Sequence, residues 1–301
     1  MSHHWRSYAK INLYLDVLRR RRDGYHNIET VFQSVSLYDE LTFSELPEDI
    51  VLTCSRPELD TGSSNLICRA AALLKESTGC TKGAQIHLQK NIPLAAGLAG
   101  GSGNAAAALA ALNRLWQLEL PPAQLLACAR KLGADVSFCL SGGTQAATLK
   151  GEVLYPMPPL PPVFFVLIHP DVQVSTPFIY THPLLRRSNA RPVAGFSSSF
   201  RRALRALKES RWQHLVFNAM EVPAFSEYPQ LAELKGQLVK QGCDAAAMSG
   251  SGPTLFGLFD LCEKAEQAIA FFRQQYPSLG CTLVQPSSKG VAYFRESFSE
   301  P

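Results

Sequence analysis

Polar and apolar residues alternate over residues 8–17. Ile11, Leu13, Leu15 and Val17 fall on one face of an extended segment, and Lys10, Asn12, Tyr14 and Asp16 fall on the other. The pattern predicts a strand that carries Lys10 and Asn12 side by side. The arginine run that follows ends in Asp23-Gly24, which reads as a turn with a solvated hairpin end, and strand composition resumes over residues 28–37 and 41–43. Ser63-Ser64-Asn65 offers N-cap candidates ahead of Leu66, Ile67, Ala70, Leu73 and Leu74, whose spacing predicts a helix to about Ser77. Residues 84–90 alternate again through Ile86 and Leu88 and deliver the chain to Pro93.

Helical spacing returns over residues 104–116, and Pro121-Pro122 opens a further helix with Leu125, Leu126 and Ala129 on one stripe, ending near Gly133. Asp135 follows between Ala134 and Val136, a poor place for a mere surface charge. The densest proline cluster, residues 156–162, is the candidate domain boundary. Beyond it the pattern predicts a strand over 163–168, helices over 203–215 and 231–241, strands over 245–248, 254–259 and 281–284, and a helix over 265–275. Strands and helices alternate in both halves, with hairpin-like strand pairs early on. That favours an α+β fold over a doubly wound parallel sheet.

Composition narrows the class. A chain of 301 residues, 46% hydrophobic and 18% charged, is globular and long enough for two domains, here expected as 1–156 and 157–301. The net charge of +4 suits a nucleotide or phosphate substrate but is too small for a protein that coats nucleic acid. The eight cysteines are scattered without metal-ligand spacing, which predicts free buried thiols and no set of metal-ligating side chains. No apolar h-region and no apolar run approaching the ~20 residues of a membrane span are present, so a cytoplasmic protein without a membrane partner is expected.

The densest chemistry lies at P-L-A-A-G-L-A-G-G-S-G-N-A-A-A-A. Here Gly97, Gly100, Gly101 and Gly103 precede Asn104 and an alanine run. A glycine loop that opens a helix gathers backbone N–H groups at the positive end of a macrodipole, which is an anion site. A Walker loop would need Gly-Lys-Ser/Thr, and no lysine follows Gly101. Gly101-x-Gly103-x-x-Ala106 meets the loose dinucleotide pattern but lacks an acidic residue about 20 positions on. A third design remains, in which backbone amides and Ser102 hold phosphate and the lysine comes from elsewhere.

That third design resembles the phosphate loop of the kinases acting on galactose, homoserine, mevalonate and phosphomevalonate. Two further motifs carry the resemblance: A-K-I-N-L at Ala9 to Leu13 and M-S-G-S-G-P-T-L-F at Met248 to Phe256. D-G-Y-H at Asp23 to His26 and L-G-A-D-V narrow it to a branch whose acceptor is a cytidine diphosphate-linked methylerythritol. The resemblance implies a two-domain fold, a ribosomal-protein-S5-like N-terminal domain with a ferredoxin-like C-terminal domain. It also implies ATP with Mg²⁺, a small-molecule acceptor, no nucleic-acid partner, and a monomer or weak homodimer.

The resemblance assigns roles residue by residue. Asp135 matches the general base and Lys10 the catalytic lysine. Pro93, Ala95, Gly97, Ala99, Gly100, Gly101, Ser102, Gly103 and Asn104, with Asn65 and Lys90, match ATP contacts. Asn12, Tyr25, His26, Thr176 and Tyr180 match the acceptor side, with Tyr25 and His26 on the cytosine. Cap, turn and core roles stand as alternatives for Asn65, Thr176 and Tyr180. Three departures from the family pattern are visible: Ala99 for glycine, Gly103 for a hydroxyl residue, and Lys150 in a G-x-G-E turn. Ala99 is compatible with the loop if its φ is negative. A sibling kinase for homoserine or mevalonate, and a nucleotide-binding regulator without turnover, are the competing functions.

Overall fold

The structure is a computed structural model that describes residues 2–188 and 195–294. In chain order the first half contains β1 (His3–Arg20), β2 (His26–Leu46), β3 (Ile50–Cys54), α1 (Leu66–Thr78), β4 (Gly83–Gln89), α2 (Gly100–Leu115), α3 (Pro122–Leu132), α4 (Ala134–Ser141), β5 (Thr144–Thr148) and β6 (Val153–Pro156). The second half contains β7 (Phe164–His169), α5 (Thr176–Thr181), α6 (Ser198–Lys208), α7 (Trp212–Leu215), β8 (Phe217–Asn218), α8 (Glu221–Glu227), α9 (Pro229–Lys240), β9 (Ala245–Met248), β10 (Leu255–Phe259), α10 (Cys262–Gln275), β11 (Gly280–Val284) and β12 (Val291–Phe294).

An eight-stranded sheet runs β12-β1-β2-β4-β3, with β5 and β6 continuing from β2 and β8 added beside β1. A four-stranded antiparallel sheet runs β11-β7-β10-β9. Its connectivity, β7-α9-β9-β10-α10-β11, is the ferredoxin-like arrangement. The α+β expectation therefore holds. The chain leaves the first sheet at Pro156, enters the second at Phe164, and returns to the first for β8 and β12.

The alternation in β1 decides how the layers meet. Ala9, Ile11 and Leu13 pack against Phe165 and Leu167 of β7 and Phe256 and Leu258 of β10. Leu15, Val17 and Ile28 join Val166, Ile168 and Leu255 in a further core. The helices α1, α2 and α3 cover the first sheet over a third core that includes Leu41, Phe43, Ile86 and Leu88. Burying one face of β1 this way leaves Lys10 and Asn12, on the alternate positions, to line a cleft.

Several expectations need correction. The strand segments 28–37 and 41–43 form one strand, β2, because the polar interruption at Asp39 is satisfied by buried partners. Three bulges in the β1/β2 ladder absorb the length of that pairing. The helix expected over 203–215 is two helices, α6 and α7, broken where Ser210 adopts φ 54°. Their apolar residues Ala203, Ala206, Leu207, Trp212 and Leu215 share one core, so the periodicity ran through the break. The helix expected from Asn104 begins at Gly100, so Gly100, Gly101 and Gly103 lie in its first turn. All eight cysteines are free, but only Cys128 and Cys139 are fully buried.

One buried polar pair has consequences for stability. Asp16 and Glu29 face each other across the β1/β2 ladder, 7% and 1% exposed. Glu29 accepts from the Ser197 N–H at 2.6 Å and from its hydroxyl at 2.5 Å. Burial, followed by the Glu29 charge, pushes the Asp16 carboxyl up to about 6.

Candidate active site

The glycine loop is anchored by a residue outside it. The Asp39 carboxylate is fully buried and accepts from Lys90 Nζ at 2.6 Å, Asn91 N–H at 2.7 Å, Ile92 N–H at 2.8 Å and Asn104 Nδ2 at 2.8 Å. Both ends of the loop, the β4 exit and the first turns of α2, thus close on a single carboxylate. Burial pulls the Lys90 ammonium below the usual lysine range, and Asp39 opposes that shift.

Within the loop the backbone is strained in the left-handed region. Ala95 has φ 50°, Gly97 φ 73° and Ala99 φ 56°. The condition stated for Ala99 is therefore not met, and this alanine carries a conformation that glycine adopts without cost. Gly97 has no alternative, since a Cβ there would stand 2.2 Å from the Ser249 main-chain oxygen. A Cβ on Gly100 would meet Lys90 Nζ at 2.7 Å. Gly103 faces the other way. Its N–H donates to the Ala99 carbonyl at 2.8 Å inside the helix, and a Cβ would contact Ser7 and Tyr8 at 3.5 Å. A hydroxyl at 103 would therefore reach β1, not a phosphate in the cleft.

The Lys10 ammonium, 4% exposed, lies at the meeting point of three elements. It donates to Asn12 Oδ1 at 2.7 Å and to the Gly97 carbonyl at 3.0 Å, and stands 3.9 Å from Asp135 Oδ2. Asn12 Nδ2 donates to the Thr30 hydroxyl at 2.9 Å, which donates to the Tyr14 carbonyl at 2.6 Å, so the chain of bonds fixes the Lys10 partner. Asp135 sits in the first turn of α4 with its side chain 37% exposed to the cleft.

The C-terminal glycine motif closes the same site. The Ser249 hydroxyl donates to the Gly97 carbonyl at 2.9 Å. Asn218 Nδ2 donates to the carbonyls of Met248 at 2.6 Å and Gly250 at 2.7 Å, holding the motif against β1. The Thr176 and Ser251 hydroxyls are 2.7 Å apart.

These elements enclose a cleft of about 660 Å³. Its wall contains Lys10, Asn12, Asn65, Lys90, Pro93, Ala95, Gly97, Ala99, Gly100, Gly101, Ser102, Asn104, Asp135, Thr176 and Tyr180. Asn65 is also the cap of α1, accepting from the Ile67 N–H at 2.9 Å, so the two readings of that residue coexist. Gly103, Tyr25 and His26 are not on this wall. Tyr25 is 63% exposed at its rim with Lys150 Nζ 4.9 Å from its ring centre, and His26 is buried against Tyr180 with ring centroids 5.2 Å apart. Lys150 itself lines the cleft, which gives the departure at that position a physical context.

Two carboxylates, Asp60 and Asp135, reach the wall. Asp60 already accepts from the Gly62 N–H and the Ser64 hydroxyl. Among the described residues no group of three or more His, Cys, Asp or Glu side chains could hold a metal ion. The donor set fits a Mg²⁺ that keeps its water and rides on phosphate oxygens, the usual manner of this ion in kinases. It does not fit a protein cage. No helix among the described residues is long and apolar enough to cross a membrane.

Sequence profiles described as GHMP kinases N terminal domain and GHMP kinases C terminal match residues 65–143 and 194–278. A 4-diphosphocytidyl-2-C-methyl-D-erythritol kinase of Pelotomaculum thermopropionicum is 42% identical, over 88% of this chain and 92% of that protein. A protein of the same description from Geobacillus kaustophilus is 42% identical over 84% of this chain and 86% of its own. A crystal structure of 4-(cytidine 5'-diphospho)-2C-methyl-D-erythritol kinase superposes with TM-score 0.78 at 35% identity, covering 95% of this chain and all of that one. A homoserine kinase from Cytophaga hutchinsonii shares the fold at TM-score 0.74 and 19% identity, over 97% of each chain.

Proposed function

The chain belongs to the 4-diphosphocytidyl-2-C-methyl-D-erythritol kinase family of the GHMP kinases, and from that premise we propose that it transfers the γ-phosphoryl group of ATP to the 2-hydroxyl of 4-diphosphocytidyl-2-C-methyl-D-erythritol. The observation that carries the reading is the meeting of Lys10 with Asp135 and with the Gly97 carbonyl, beside the N-terminus of α2. A base, a cation and a phosphate cradle on one wall are what phosphoryl transfer to an alcohol needs.

In this mechanism the first-turn amides of α2 and Ser102 hold the ATP phosphates. Asp135 accepts the proton of the acceptor hydroxyl. Lys10, fixed by Asn12 and Gly97, stabilises the charge that develops between hydroxyl and phosphate. Lys90 is committed to Asp39, so its part is to hold the loop in shape and lend positive potential. Ser102, on the cleft wall, is the side chain that would help to hold a Mg²⁺ carried by the phosphates, and the ion would supply neutralisation of phosphate charge. Tyr25, His26 and Tyr180 recognise the cytosine, and Thr176 with Asn12 contacts the remainder of the acceptor. A regulator without turnover would have no use for the Lys10–Asp135 pair. A cytoplasmic protein, monomeric or weakly dimeric, divided near residue 156, completes the reading.

The test is ADP release from purified protein with ATP, Mg²⁺ and a panel of acceptors. Turnover is expected with the cytidine-linked acceptor and not with homoserine or mevalonate. The reverse pattern would overturn the assignment.

A further inference from the structure

Beside the cleft, His26 is gripped by two side chains from the second half of the fold. Its ring stacks on Tyr180 with planes 13° apart, and Arg187 Nε donates to its Nε2 at 3.0 Å. The same guanidinium donates through Nη2 to the Tyr180 carbonyl at 3.1 Å, so one side chain holds both the His26 ring and the Tyr180 backbone. Arg20 lies opposite His26 across the β1/β2 ladder, and the neighbouring Tyr25 carries Lys150 over its ring. Burial, then Arg187, then Arg20 hold the imidazole below its usual pKa.

A guanidinium has donors and no acceptor, and it stays charged at any working pH. The ring nitrogen that receives its N–H must offer a lone pair. Nε2 is therefore unprotonated, and the proton of the neutral ring sits on Nδ1. Nδ1 makes no hydrogen bond to any described residue. A donor of fixed identity is left open for a ligand.

We infer that Arg187 is a positioning residue for base recognition: by holding His26 Nε2 and the Tyr180 backbone, it keeps His26 as the neutral Nδ1–H imidazole whose free N–H reads the polar edge of cytosine. The inference rests on the acceptor assigned above. Cytosine offers a bare N3 and O2 as acceptors, whereas uracil places an N–H at N3. O2 accepts in both bases, so a fixed Nδ1–H donor separates them by its bond to N3, and a ring free to change tautomer, which can turn an acceptor to the uracil N3–H, does not.

The experiment has two arms on wild type, R187M and R187K. In the first, ¹⁵N NMR of the free protein, with His26 assigned by its loss in H26N, reads the tautomer directly. Wild type should show the Nδ1–H form, and R187M should shift toward Nε2–H with a raised His26 pKa. In the second arm, R187M should raise KM for the cytidine-linked acceptor about tenfold, the scale of one hydrogen bond, with kcat and the KM for ATP held. Its preference for CDP over UDP as competitor should shrink, and R187K should fall between the two. Nε2–H in the wild type, a tautomer unmoved in R187M, or a fall in kcat at constant KM each overturns the proposal. Should wild type fail to phosphorylate the acceptor, the kinase assignment falls, and the NMR arm still decides what Arg187 does to His26.

Discussion

The Lys10 ammonium donates to the Gly97 carbonyl at 3.0 Å, which ties the cation beside Asp135 to the phosphate loop 87 positions further along the chain. The Ser249 hydroxyl donates to the same oxygen. Three distant segments thus share one carbonyl, and the loop cannot shift without moving the lysine. Gly97→Ala forces that shift, because its Cβ would overlap the Ser249 backbone. The expected cost is about 3 kcal/mol of stability, at the upper end for overpacking, together with loss of turnover. Denaturant midpoints and an ADP assay check both, and a variant of unchanged stability contradicts the geometry.

Asp135→Asn removes the proposed proton acceptor while keeping the shape of the side chain. We expect kcat to fall by about 10² to 10⁴, the range for a lost general base, with ATP affinity held within a few-fold. Steady-state kinetics and nucleotide titration separate the two quantities. An unchanged kcat removes Asp135 from the chemistry.

Asp39→Asn leaves the buried Lys90 ammonium without its counter-charge. Breaking such a pair on one side costs about 3 to 5 kcal/mol. The double variant D39N/K90M should recover part of that stability, since no uncompensated charge remains. A double-mutant cycle in urea measures the recovery, and additive losses would argue that the pair is not coupled.

Ala99→Gly should stabilise the protein by about 0.5 to 1 kcal/mol. Relief of a left-handed alanine, worth about 1 to 2 kcal/mol, outweighs the extra freedom of glycine in the unfolded chain. A lower denaturant midpoint for A99G contradicts this balance.

Asp16 makes stability depend on pH in an uncommon direction for a carboxylate. Its folded pKa, about 6, lies above the ordinary 3.8, so the folded chain holds the proton more tightly than the unfolded chain. The contribution of this group is full below pH 3.8 and is lost as the pH rises through about 6. Asp16→Asn abolishes that loss. The stability of D16N relative to wild type should therefore rise over this window, as read by urea unfolding at a series of pH values. A difference that stays flat disposes of the assignment.

The parts of the site legible in the sequence are those whose chemistry is written locally. Strand alternation puts Lys10 and Asn12 on one face and the density of glycines marks an anion loop, whereas the roles expected of Lys10 and Asp135 come from the family motifs around them. The residues that hold these in place were not legible, because their partners are remote. Asp39 meets Lys90 51 positions away, Asn218 meets Met248 30 away, and Arg187 meets His26 161 away. The fold shows the same division. Alternation and helical spacing located most elements, whereas the break at Ser210 and the continuity of β2 through Asp39 depend on packing that periodicity does not encode.

The pairing of β12 with β1, in which Ser7 lies opposite Val291, sets an order on biosynthesis. One edge of the first sheet, beginning a few residues before Lys10, stays unpaired on the ribosome until residues 291–294 have been made. An unpaired edge is a template for association with other chains. A chain from which β12 is missing would therefore carry an adhesive edge a few residues from Lys10.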